Sequence, residues 1–162
     1  MKSVLSLIIV AALAAGPEIA AASDKTDVMA VVHKWEDSFN KGDWTTMVAQ
    51  CADQTSIIDD FAPHEWHGAG ACQKWLDAFQ AFTKKAEFTE MMVKVGQPKH
   101  LDVDGDSAYL VVTTTLTYKE GGKPRKLTGS TVTVSFQKGT SGWRINGWSW
   151  ADGAGAVMPS KS

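Results

Sequence analysis

The spacing of apolar residues changes once along the chain, at Phe88, and that change restricts the fold more than any other feature. Upstream, Val28, Val31, Val32, Trp35 and Phe39 recur at helical spacing, as a helix with one buried stripe requires. Lys41-Gly42-Asp43 breaks the stripe, and Asp43 is suited to cap a second helix carrying Trp44, Met47, Val48 and Cys51. A third stripe, Cys72, Trp75, Leu76, Phe79 and Phe82, follows Gly68 and Gly70. From Phe88 onward the period is two, which predicts strands near residues 88–102, 106–119, 127–138 and 142–150. The turns Asp104 to Asp106, Gly121-Gly122 and Gly139 to Gly142 suit a meander of antiparallel hairpins. Helices followed by strands predict an α+β fold in which helices cover one face of a curved sheet.

Residues 1–22 stand apart from this pattern. Lys2, the apolar run Val4 to Ala15 and the small residues Ala20 to Ala22 read as a secretory signal peptide, with a mature chain beginning near Ser23. A periplasmic or secreted protein is expected, with no membrane span in its mature form, because no later run approaches about 20 apolar residues. Residues 23–152 form one expected domain and residues 153–162 a loose tail. A formal charge of −2 with interspersed signs gives no basic stripe, so nucleic acid is not an expected partner. Cys51 and Cys72 can pair in an oxidising compartment, or can remain small buried thiols in helices.

The segment Ile57-Ile58-Asp59-Asp60-Phe61 carries the chemistry of interest. In an extended chain Ile57, Asp59 and Phe61 share one side, and Ile58 and Asp60 the other. The side with Phe61 suits the interior, so Asp59 is expected in an aromatic cavity with Trp35, Ile57, Phe61, Trp66 and Trp75, its pKa raised by burial. Asp60 is expected in solvent. His64-x-x-His67 near Asp59 or Glu65 is not a recognised metal-ligand spacing, and neither metal nor cofactor is expected. Ser-His-Asp, glycine-rich phosphate-binding and paired-cysteine metal motifs are absent from the sequence.

Trp35, the run Phe39 to Trp44, Cys51-Ala52-Asp53, Ile57 to Phe61, Trp66-His67-Gly68, Trp75 and Phe79, with the final segment Gly142 to Trp150, resemble the superfamily of nuclear transport factor two, SnoaL-like polyketide cyclases and ketosteroid isomerases. The resemblance implies a cone-like curved antiparallel sheet wrapping three N-terminal helices, with an interior pocket open at one end. It places Asp59 where the isomerases carry their general base and Trp35 where they carry an oxyanion-hole tyrosine. The central strand offers Thr131 and Thr133 where an acid would complete that hole. His67, at the turn forming the mouth, becomes a second acid/base candidate, with packing at the hairpin as its alternative. Phe39, Trp148 and the five cavity residues above are the expected ligand contacts. Superfamily members commonly pair through the outer sheet face, here Tyr109 to Thr117, so a homodimer is expected. Two function classes follow: a protein binding a small apolar or aromatic molecule, and a proton-transfer isomerase, cyclase or hydratase/dehydratase using Asp59 as base.

Overall fold

The computed structural model describes residues 17–152. Most of the expected signal peptide and all of the expected tail lie outside the described residues. Three helices and six strands follow in the order α1 (Pro17–Lys41), α2 (Trp44–Val48), β1 (Cys51–Ile58), β2 (Glu65–Ala69), α3 (Ala71–Lys85), β3 (Phe88–Asp104), β4 (Ser107–Glu120), β5 (Lys123–Gly139) and β6 (Gly142–Ala151). The architecture is α+β, and the strands form one curved, unclosed sheet in the order β2-β1-β6-β5-β4-β3.

The expectation of a wholly antiparallel sheet needs correction, because β1 runs parallel to β6. A parallel neighbour requires a long return path, and here α3 and the β3–β5 meander supply it. Close approach of these two strands depends on Gly147, where a Cβ would lie 2.6 Å from the carbonyl oxygen of Ser56. A second correction concerns α2. Asp43 does cap it, its Oδ1 accepting from the amide of Thr46 at 3.1 Å, but the helix ends at Val48 and Cys51 opens β1. The sheet claims this segment: the amide of Ile145 donates to the carbonyl of Gln50 at 2.8 Å. The strand β5 starts four residues before the expected 127, because Gly121 and Gly122 alone make the turn, with φ of 54° and 79°, and residues 123–126 pair back onto β4.

Cys51 and Cys72 form a disulfide with Cα atoms 6.5 Å apart, joining the first residue of β1 to the first turn of α3. At the other edge of the sheet, α1 covers polar backbone of β3. The Asn40 amide donates to the Val93 carbonyl and accepts from the Val93 amide, both at 2.8 Å, and Glu36 accepts from Val95 at 3.0 Å. Val28 and Val32 of α1 pack on β4, β5 and β6. Phe39, Met47, Ile57, Trp75 and Leu76 form a second cluster around α3. Trp35, Trp148 and Trp150 touch both clusters, and the space between them is where the cavity opens.

Candidate functional site

A cavity of about 280 Å³ lies between α1, α3 and the concave face of the sheet. Alternation along the strands explains its wall. On β4 the lining residues are Val112, Thr114, Leu116 and Tyr118, and on β5 Val132 and Val134, each two residues apart. The helices add Trp35, Phe39, Trp75 and Phe79. Trp75 stacks on Phe79 with centroids 5.1 Å apart and meets Trp148 edge-on at 5.2 Å. These rings brace one another, so much of the wall is fixed without a ligand.

The acidic rim is built by the chain leaving β1. Burial alternates through Thr55, Ile57, Asp59 and Phe61 even though the strand ends at Ile58. The loop holds that phase because the Asp59 amide donates to the His64 carbonyl at 3.0 Å and the His64 amide to the Phe61 carbonyl at 2.9 Å. Asp59 is only 9% exposed. Its Oδ2 accepts from the Trp75 indole at 2.8 Å and its Oδ1 from the Asp60 amide at 2.9 Å. Asp60 and Asp152 also line the cavity, and Trp150 donates to Asp152 Oδ1 at 2.9 Å.

Crowding three carboxyls at the rim of an apolar cavity alters their acidity. Burial is the main reason the Asp59 pKa is raised, and the Trp75 and Asp60 hydrogen bonds oppose it. Asp60 is pushed up to about 7, first by burial, then by its hydrogen bond to Asp59 and that group's charge, then by Asp152. Solvent reaches Asp60 through the open mouth, yet the surrounding wall displaces part of its hydration shell. Their ionisations are linked, because a charge on one carboxyl makes ionising its neighbour more costly. Tyr118, also on the wall, has its pKa raised by burial and by Glu120, with Arg125 opposing.

The structure brings together Trp35, Phe39, Asp59, Phe61, Trp75 and Trp148 of the expected site residues. It does not bring in the other three. Ile57 is fully buried and Trp66 is 7% exposed. The two are paired across β1 and β2, and Trp66 packs on Phe61 at 5.1 Å from outside the cavity. His67 is exposed on the opposite face of β2, near Ser56 Oγ and Glu65 Oε2 at 3.3 Å each, which corrects its expected place at the mouth. Thr131 and Thr133 alternate with the lining residues Val132 and Val134 and so face away from the cavity. The indole of Trp75, expected only as a cavity wall, also donates to Asp59. Asp60 is exposed to solvent, as expected, and also contributes to the rim. Asp152 and Tyr118 were not anticipated, although the alternation Trp148, Trp150, Asp152 carries the signal for the former. Among the described residues no group of three or more His, Cys, Asp and Glu side chains is arranged to hold a metal ion.

Residues 28–149 match the family described as SnoaL-like domain. A search of curated protein sequences finds no match. Solved structures share the fold. A nuclear transport factor 2-like superfamily protein from Salmonella enterica is 18% identical, with TM-score 0.68, over 87% of this chain and 99% of that one. An NTF2-like protein with a cystatin-like fold from Novosphingobium aromaticivorans is 16% identical, with TM-score 0.66, over 88% and 94%. A ketosteroid isomerase-like protein from Erwinia carotovora is 14% identical, with TM-score 0.61, over 82% and 98%. At these identities the likeness is one of fold.

Proposed function

The chain belongs to the SnoaL-like domain family, within the nuclear transport factor two-like superfamily, and from that premise we propose that it is an exported protein binding one small, largely apolar molecule in its cavity. The observation that carries this reading is the wall itself, in which aromatic and aliphatic side chains enclose about 280 Å³ around a short acidic rim. Burying about 200 Å² of apolar ligand surface gains roughly 5 kcal/mol at about 25 cal/mol per Å². Association costs at least about 4 kcal/mol. Apolar contact alone therefore gives weak binding, and polar contacts at Asp59 and Asp60 set affinity and orientation. The disulfide supports an oxidising compartment, in keeping with the expected signal peptide. The exposed Tyr109 and Met92, at 46% and 48%, support pairing of two copies through the outer sheet face.

A second reading, proton-transfer catalysis, is favoured by the carboxyl pair. Near neutral pH one member of the Asp59–Asp60 unit is ionised and can accept a proton, while the other retains one and can donate it. Asp59, fixed by Trp75 and the Asp60 amide, is the base in this reading.

Calorimetric titration with neutral aromatic alcohols, from benzyl alcohol to naphthylmethanol, tests the binding reading. Wild-type protein should bind at least the larger members, and Val132→Trp, which fills the cavity, should not. Equal heats from the two proteins, or none from either, would contradict it.

A further inference from the structure

Asp59, Asp60, Asp152 and Tyr118 are the ionisable groups on the cavity wall among the described residues, and no Lys, Arg or His is on it. Arg125, which acts on Tyr118, is itself paired with Glu120, its Nε donating at 2.8 Å. Three carboxyls on one cavity wall thus have no positive side chain beside them on it, and burial raises the pKa of two of them. Resting on the binding reading above, we propose that the ligand is an organic cation: a protonated amine on an apolar or aromatic frame, its ammonium seated among Asp59, Asp60 and Asp152.

The chemistry of the wall fits this class in three ways. An ammonium has several N–H donors and no acceptor, which matches a cluster of acceptor-only carboxylates. Asp59 uses one lone-pair site on each oxygen for Trp75 and for the Asp60 amide, so further sites remain. Beside the carboxyls stand the rings of Trp35, Trp75 and Trp148, and aromatic faces attract cations most strongly when water is excluded. A neutral or anionic ligand would leave the like charges opposed only by bound protons.

An independent observation points to a ligand in the same cavity. Thr114 is 4% exposed and lies on the wall between Val112 and Leu116, and its Oγ1 has no hydrogen-bond partner. Buried hydroxyls rarely go unpaired. A ligand atom that pairs with Thr114 completes the wall, so the amine's frame should carry one further polar atom.

Protons and the cation compete for the rim. The groups involved are Asp59 and Asp60 after β1, Asp152 after β6 and Tyr118 on β4, with Glu120, Arg125 and the loop residue His64 behind them. As pH rises past the Asp60 pKa of about 7, the rim gains negative charge while a simple alkylamine stays protonated.

The test titrates three probes of one shape, naphthylmethylamine, naphthylmethanol and naphthoate, into the full protein at about pH 5.5 and about pH 8, on either side of that transition. The amine should bind about tenfold tighter than the alcohol at the higher pH, with a smaller advantage at the lower, and naphthoate should be weakest. Asp60→Asn should erase most of the amine's advantage over the alcohol. Asp152→Asn serves the same purpose if that variant does not fold. Alcohol binding equal to amine at the higher pH overturns the cation class and leaves the binding reading standing, whereas failure of all three probes removes both.

Discussion

The indole Nε1 of Trp75 donates to Asp59 Oδ2 at 2.8 Å, joining the middle of α3 to the residue just past the end of β1. This bond sets both the position of the carboxyl and much of what keeps it tolerable in a buried site. Trp75→Phe removes the donor but keeps a ring. Leaving a buried acceptor unpaired costs about 1–3 kcal/mol, and urea denaturation of the variant should show a loss of at least that range. Adding Asp59→Asn should recover part of it, because an amide is less costly to bury than a carboxylate. Strict additivity of the two losses would mean that the bond carries no coupling.

Stability should depend on pH with a definite sign. Folding raises the pKa values of Asp59 and Asp60, the latter to about 7, so the native state binds more protons than the unfolded chain between about pH 4 and that value. The contribution of these groups is therefore fully present below about pH 4 and is lost as pH climbs through 7. Thermal melts across this interval should show Asp60→Asn falling less steeply with rising pH than wild type. A steeper fall in the variant would reverse the assignment.

The Cys51–Cys72 bridge closes a loop of 21 residues. In the chain-entropy account this stabilises by roughly 3 kcal/mol. Reduction, or paired replacement by alanine, should lower the urea midpoint and steepen the denaturation slope, because the unfolded chain then expands further. Unreduced protein should show no titratable thiol when denatured.

How much of this was legible in the sequence depends on whether the signal was local. Helical stripes such as Cys72, Trp75, Leu76 and Phe79 mark α3 because burial on one face requires that spacing. Alternation likewise separates Asp59 from Ile58, and, applied to β2, it would have separated buried Trp66 from exposed His67. Asp60 is exposed, as alternation requires, but alternation along a straight strand does not show that the chain after Ile58 also brings it to the cavity rim beside Asp59. The parallel contact of β1 with β6 and the shortening of α2 depend on residues about ninety positions away and leave no local trace. Asp152 lies just past β6 and beyond the last expected strand, which ends at 150, although its alternation with Trp148 and Trp150 places it on the same face.

Export is tested at the N-terminus. The Lys2-led apolar run and the alanines before Ser23 predict that protein recovered from the periplasm or medium has a mass corresponding to a chain starting near Ser23. An intact Met1 in that fraction would contradict the reading.

The seven tryptophans supply the most direct test of cavity binding, because they divide between the cavity wall and the rest of the fold. Trp35, Trp75, Trp148 and Trp150 line the cavity, and Trp44, Trp66 and Trp143 do not. Titration of isotopically labelled protein with naphthylmethylamine, followed through the indole N–H resonances, should shift the four wall indoles, that of Trp75 included through its bond to Asp59, and leave the other three nearly still. Shifts confined to Trp44, Trp66 and Trp143, or no shift in any indole at saturating probe, would show that the cavity is not the binding site.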